Sequence, residues 1–390
     1  MALLFHFLSS LAVSPPPFFN ISATNLYGAG KQQGQLAGER IRGWLATDEM
    51  RGLRNFTQGL GRTGFLAMIA DNTRFAPTLV TELQGIADGA GVEVEEIWGA
   101  TMINELEIWF SNGAKRAGHC SDIYAIARGG AATGFGHGHN EDWPGPINQH
   151  FFYVAYQPIG ADADFTSCAG LAYPGGLIGW APSWNAQGTY LTQNSLFPIV
   201  NRPGGLSSAF VQRQAICPAG PGVRAKEAAA GRRGIDRVIG GLVNGGWSSA
   251  ASINIVDVVE KRMANVEAHL DAASVSHSLN ANTGVSHNMT HFNQFKHLEI
   301  GVADEPEDSS MHRQATVDSM AASHDVDDIK ARLSDTSDTD FPLFRDMTIA
   351  TITLNGTTAD LNVWCCGHAS ASTPPLYKWN LLSFFADLAN

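Results

Sequence analysis

The stretch GHCSDIYAIARGGAATGFGHGHNEDW, residues 118–143, gathers one cysteine, three histidines, two aspartates and a glutamate. CSDIYAIA reads as a strand with Ile123, Ala125 and Ala127 on one face, RGGAATG as a turn, and FGHGHNED as the returning strand. Folding about Ala131 brings Cys120 and Asp142 together at the open end, although a bulge would shift that register by one residue. A thiol and a carboxylate distant in sequence thereby become neighbours.

Two chemistries compete for this hairpin. A metal-assisted hydrolase would use His137, His139 and Asp142, since residues i and i+2 of a strand share a face and His-x-His pairs ligate metals. The metallo-hydrolase signature is not completed: four residues after His137 stands Glu141, and Trp143 stands at six. The plainer reading has both histidines hydrogen-bonding within the sheet. The other chemistry is a Cys120 nucleophile, set against the plainer reading of a buried structural thiol.

The rest of the chain bounds the choice. Its 390 residues are 44% hydrophobic and 16% charged, which reads as globular, and the formal net charge is −12. That balance, with no Lys/Arg cluster, argues against a nucleic-acid surface. No apolar run reaches 18 residues, so no membrane span is expected. Residues 1–19, starting MALLFHFLSSLAVSPPP, are a candidate leader that lacks a basic n-region. Sequons at Asn20, Asn55, Asn288 and Asn355 are compatible with a secretory route, and a cytoplasmic or peroxisomal location stays open. Cys120, Cys168, Cys217, Cys365 and Cys366 have neither zinc-ribbon nor disulfide-scaffold spacing.

Helical spacing marks KQQGQLAGERIRGWLA, APTLVTELQGIADGAG and VEEIWGATMINELEIWF in the first third. After Cys120 come strand-like HFFYVAYQP, GTYLTQNSL and MTIATITLNGTTADLNVWCC. Between these, GIDRVIGGLVNG, SINIVDVVEKRMANV and RQATVDSMAASHDVDDIKARL read as helices, and AICPAGPGVRAKEAAAGRRG as a loop entering a helix. The expected fold is one α+β domain, a mostly antiparallel sheet system with a helical N-terminal part.

Several of these pieces, in order, resemble the Ntn-hydrolase family of isopenicillin-N acyltransferase (acyl-CoA:6-aminopenicillanic acid acyltransferase), which also includes β-alanyl-dopamine hydrolase. They are YGAGKQQGQLAGERI with Gly30 and Gly34, ELQGIADGAGVEVEEIWGATMINELEI, the pair Cys120–Ser121, NEDW at Asn140–Trp143, and PGGLIGWAPSWNAQGTYLTQNSL. The resemblance covers roughly residues 20–375.

The resemblance implies a four-layer αββα sandwich and a precursor that cuts itself between His119 and Cys120. Residues 20–119 would become one chain and 120–390 the other, staying associated as one integrated domain. The freed α-amino group of Cys120, with a pKa of about 8, would serve as its base. Asp142 would orient that amine. Asn288, in SHNMTHFNQF with Asn293 close by, would stabilise the oxyanion. Arg345 in FPLFRDMTIATIT would hold Asp142 ionised. Ser121, Asn185 and Asn194 are pocket candidates, and Arg313 in DSSMHRQATV reads as a structural helix-start arginine. The family carries Gly where this chain has His119, and glycine permits strained backbone more readily. The implied substrate is a small linear amide, an N-β-alanyl amine or N-acyl amino acid, with no cofactor. A non-catalytic relative that binds a ligand on the same fold is the remaining alternative.

Overall fold

The computed structural model describes residues 14–110, 120–127, 134–143, 145–198, 202, 204–223, 234–243, 246–270, 272–283, 285–300, 309–366 and 373–389. β1 (Phe18–Ala23) precedes six helices: α1 (Leu26–Leu45), α2 (Asp48–Gln58), α3 (Arg62–Phe75), α4 (Pro77–Ala90), α5 (Val94–Thr101) and α6 (Ile103–Phe110). The hairpin β2 (Ser121–Ile126) and β3 (Gly136–Asp142) follows, then β4 (Phe152–Pro158), β5 (Cys168–Ala172), β6 (Ser183–Asn185) and β7 (Thr189–Leu196). Helices α7 (Ser208–Ile216) and α8 (Ile235–Leu242) lead to β8 (Ala250–Asp257), β9 (Arg262–His269), β10 (Ala272–Asn280) and β11 (His287–His291). Next are α9 (Ser309–Ser319), α10 (Val326–Leu333), β12 (Thr348–Asn355), β13 (Asp360–Cys365), β14 (Tyr377–Asn380) and α11 (Phe384–Ala389).

The strands form two sheets, in the orders β1-β4-β5-β6-β7-β8-β9-β10 and β11-β2-β3-β12-β13-β14. Helices α1, α7 and α8 lie on the first sheet, with α4 against α1, and α10 lies on the second. The fold is therefore α+β, with αββα layering. Strand alternation explains the second sheet's two faces. Ile123 and Ala125 point outward and meet Val317, Ile329 and Leu333, a small core in which each large buried side chain contributes about 1.5–3 kcal/mol. The even-numbered residues of β2 point between the sheets. There the His137 ring centroid lies 4.6 Å from that of Tyr124 and 5.6 Å from that of Tyr190 on the facing sheet.

Glycine spacing fixes how α1 meets α4. A Cβ on Gly30 would come within 2.2 Å of Glu82 O, and one on Gly34 within 2.3 Å of Ile86 O. The two backbones touch, which only glycine allows. The N-terminal strand is equally committed. β1 pairs in parallel with β4, and its Phe18 ring lies 5.5 Å from Trp379. Phe18 and Phe19, inside the candidate leader, thus belong to the folded body.

Three expectations need correction. Residues 252–266 form no helix but the hairpin β8–β9, paired from Ala250↔His269 to Asp257↔Arg262. Its turn contains neither glycine nor proline. The Asp257 carboxylate instead accepts the Val259 and Glu260 N–H groups, and Lys261 adopts φ +54°. Residues 313–333 are two helices, the second capped by Asp325, which accepts from the N–H groups of Asp327 and Asp328. The 94–110 stretch likewise breaks in two at Met102. Part of the 215–234 stretch and all of RGGAATG except its final Gly134 lie outside the described residues.

Candidate active site

The hairpin that opened the sequence is present, one residue out of the expected register. Ser121 pairs with Asn140 and Asp122 with His139, which sets Cys120 level with Glu141. Because side chains alternate, that single step exchanges the neighbouring carboxylate: Glu141 faces the sulfur from between the sheets, and Asp142 turns to the other face. Cys120 Sγ lies 3.9 Å from Glu141 Oε1. Cys120 is buried and has φ +60°, a left-handed conformation costly for a non-glycine residue.

Arg313 holds the backbone there. Its Nη1 donates to Cys120 O at 2.5 Å and to Ser121 Oγ at 2.9 Å. Its Nη2 donates to Asn293 Oδ1 at 2.9 Å, and its guanidinium lies 5.0 Å from the Phe292 ring. Asn293 Nδ2 donates to Ser195 O, and Ser195 Oγ donates to Asn104 Oδ1, each at 2.9 Å. Asn104 Nδ2 is buried and has no partner among the described residues. Glu267 on β9 pins the segment carrying Asn293: its carboxylate bonds His291 Nε2 and accepts the N–H groups of Lys296, His297 and Leu298.

A chain of ionisable groups runs inward from the thiol. Glu141 Oε1 accepts from Tyr173 Oη at 2.6 Å, and Oε2 lies 3.0 Å from His139 Nε2. His139 Nδ1 lies 2.9 Å from Asp122 Oδ2. Asp122 also meets His137 Nε2 at 2.8 Å and accepts from Thr192 Oγ1 at 2.5 Å and Asn194 Nδ2 at 2.7 Å. Burial, and then the facing Glu141, push the Cys120 thiol up to about 12. Burial opposes charge on His139, yet Asp122, Cys120 and Glu141 outweigh it and hold the imidazole well above its usual value. Burial likewise opposes charge on Asp122, but the two histidines keep it below the ordinary carboxylate range. Burial lowers His137 despite its bond to Asp122. The surroundings thus favour the neutral form of the thiol and the charged form of His139.

The other sequence candidates divide. Asp142 bonds Arg345 Nη2 and Thr348 Oγ1, each at 2.5 Å, so the Asp142–Arg345 pair is present but anchors β3 to the start of β12 instead of facing the sulfur. Asn194 joins the chain through Asp122, and Ser121 through Arg313. Asn185 does not reach it. Its amide donates to Ile216 O and its oxygen caps the β6–β7 turn by accepting from Gln187 and Thr189. Asn288 sits opposite Ala125 and exchanges hydrogen bonds with the Ser323 backbone. Five residues further along, Asn293 is the asparagine bonded to Arg313, which in turn holds Cys120 O. His119 lies outside the described residues. The His137/His139/Asp142 trio does not converge. Among the described residues, ligand-type atoms converge instead at Cys120, His139 and Glu141, all within 4.8 Å of one another.

The sequence offered Asn293 only as the neighbour of the favoured Asn288, and it did not single out Glu141, Asp122 or the contact role of Arg313. The signal for Glu141 was present, since it shares a strand face with His137 and His139. Arg313 carried none, because its contact crosses 193 residues of chain.

No protein-family model matches this chain, and a search of curated proteins finds no match. Solved structures similar to it include a Caenorhabditis elegans N-acylethanolamine-hydrolyzing acid amidase ortholog, at 13% identity and TM-score 0.43, covering 67% of this chain and 99% of that one. A mutant conjugated bile acid hydrolase from Clostridium perfringens gives 11% and 0.32 over 66% of this chain and 96% of its own. Penicillin V acylase from Agrobacterium tumefaciens gives 9% and 0.33 over 66% and 86%. No helix among the described residues is long and apolar enough to cross a membrane.

Proposed function

We propose that this chain is a self-processing cysteine amidase that cuts itself between His119 and Cys120. The observation that carries this reading is Cys120 itself. It stands at the head of a strand with φ +60°, its carbonyl gripped by Arg313 and its sulfur facing a carboxylate. Left-handed backbone at a non-glycine residue costs on the order of 1–3 kcal/mol, which loss of the preceding peptide bond relieves.

After cleavage the α-amino group of Cys120 takes the thiol proton as sulfur attacks the substrate carbonyl, then delivers it to the departing amine. The resulting thioester passes its acyl group to water, with hydrolysis the default over acyl transfer since no sequence motif specifies a CoA pocket. The substrate is a small linear amide of the N-β-alanyl amine or N-acyl amino acid type, as the resemblance implies. Arg313 and Asn293 position the nucleophile, and Asp142 with Arg345 holds the hairpin end. The two fragments stay together because β1 and α1 pack on strands that follow residue 120.

Intact mass and N-terminal sequencing of the purified protein test this. The expected result is fragments of 119 and 271 residues (390 − 119), the larger beginning Cys-Ser-Asp, with turnover lost on thiol alkylation. A chain that stays whole and keeps turning over after alkylation overturns it. A second reading, metal-assisted hydrolysis, rests on the convergence of Cys120, His139 and Glu141. Activity lost to a chelator and restored by a divalent ion would select it.

A further inference from the structure

The reading above leaves the first reaction without a base. Until the chain is cut, the nitrogen of Cys120 is an amide and cannot accept a proton. The Cys120 thiol must give up its proton as its sulfur attacks. Something else must take that proton once in the life of each molecule.

We propose that Glu141 is the base for self-cleavage, with His139 and Asp122 as the positioning residues that make its carboxylate usable. Four observations converge. Glu141 Oε1 is the carboxylate oxygen 3.9 Å from Cys120 Sγ, and the thiol is its hydrogen-bond donor. Glu141 Oε2 is fixed by His139 Nε2 at 3.0 Å, and His139 is fixed in turn through Nδ1 by Asp122 at 2.9 Å. Tyr173 Oη, at 2.6 Å from Oε1, fixes the same carboxylate from the facing sheet. Asp142, the other carboxylate of the hairpin end, is occupied by Arg345 and Thr348.

The step balances with water as the one co-reactant. The S–H proton passes to Glu141 as sulfur attacks the carbonyl carbon of the peptide bond preceding Cys120. The S–C bond forms, the C–N bond breaks, and the amide nitrogen recovers the proton from Glu141. The product is a thioester with a free α-amine. Water hydrolyses the thioester to a carboxylate and regenerates the thiol. The His139 ring, within 4.8 Å of the sulfur, stabilises the passing thiolate. Glu141 is thus needed for making the enzyme, and the new amine takes over thereafter. This inference rests on the self-processing reading above.

The test follows processing of full-length chains freshly made by cell-free translation, separated by size at timed intervals, with and without hydroxylamine to trap the thioester. Wild type is processed and hydroxylamine speeds release of the smaller fragment. Glu141→Gln slows processing by about 100-fold or more, the usual contribution of a general base, and hydroxylamine gives no acceleration. Glu141→Asp, which keeps the carboxylate but draws it back by one methylene, falls between the two. His139→Gln slows processing less than Glu141→Gln and leaves the hydroxylamine response intact, which a general loss of structure would not do. If Glu141→Gln shows no cooperative melt, Glu141→Asp carries the test, and a rate equal to wild type overturns the proposal. So does Glu141→Gln processing at the wild-type rate while Cys120→Ala stays whole. A wild-type chain that is never processed refutes the self-processing reading itself, so the two failures are told apart.

Discussion

Two buried clusters flank the first sheet, and they contain nearly the same residue types. On the helix side, Arg213 pairs with Glu82 at 3.2 Å beside Tyr156, Cys168 and Cys217. On the inner side, Arg313 stands by Cys120 with Glu141, Tyr173 and His139. Each has a fully buried arginine, a carboxylate, a tyrosine and at least one thiol. Their wiring differs. Arg213 spends its charge on a carboxylate and on the carbonyl that ends its own helix, Cys217 O. Arg313 spends it on the backbone of the cysteine, the side chain of Ser121 and an asparagine. Neither outer thiol lies in the left-handed region, whereas Cys120 has φ +60°. A buried thiol with an arginine nearby is therefore not a site by itself. The inner one is distinguished by strained backbone at Cys120 and by an acceptor beside its sulfur.

The sharpest break between the clusters is expected from the thiols. Cys120→Ala should lower amide turnover by at least about 10³-fold, because it removes the group that carries the acyl chain. Cys168→Ala and Cys217→Ala should leave turnover within about twofold and cost about 1 kcal/mol each in urea unfolding, as small cavities do. Loss of turnover in either outer variant would erase the distinction. Next come the arginines. Arg213→Met and Arg313→Met each strand buried polar partners, so each should destabilise by about 3–5 kcal/mol. Only Arg313→Met should also depress turnover measured per folded molecule.

The smallest effect is a pH slope. Asp122, held low by its histidines, contributes stability that is present above about pH 3.9 and lost as pH falls toward its folded value. His139, held high by Asp122, Cys120 and Glu141 against burial, contributes stability fully present below about pH 6.5 and lost as pH rises through its folded value. Asp122 and His139 together contribute most between about pH 4 and 6.5, and His137, lowered by burial, subtracts from this as pH falls below about 6.5. The outer one behaves oppositely in acid: burial raises Glu82 although Arg213 opposes it, so protonation there relieves the fold. Urea unfolding across pH should show a decline above about pH 6.5 that His139→Gln lacks. Identical slopes in the two proteins would remove His139 from this account.

Periodicity made the scaffold legible. The α1–α4 pair, the β2–β3 hairpin and the β12–β13 hairpin follow from apolar spacing and glycine punctuation. Where the chain turns without glycine, reading failed: Asp257 and Lys261 fold the β8–β9 turn by side-chain capping and a left-handed residue, so Ile253, Ile255, Val256 and Val258 passed for a helical stripe. The site was half legible for the same kind of reason. Cys120 and the Asp142–Arg345 pair were visible as residue types in the sequence. One step of register hid Glu141, and tertiary contacts hid Arg313. Asn293 was hidden by its near neighbour Asn288, and only the pairing of β11 with β2 tells the two apart.

The Glu267 carboxylate has a consequence of its own. It is rooted in one sheet and clasps a histidine and three successive backbone N–H groups belonging to the other sheet's connecting segment. Sliding one sheet past its partner would unfasten all four at once. The sandwich is thus latched at the same corner where the asparagine meets the arginine, and the alignment of Cys120 is inherited from the closure of the whole body.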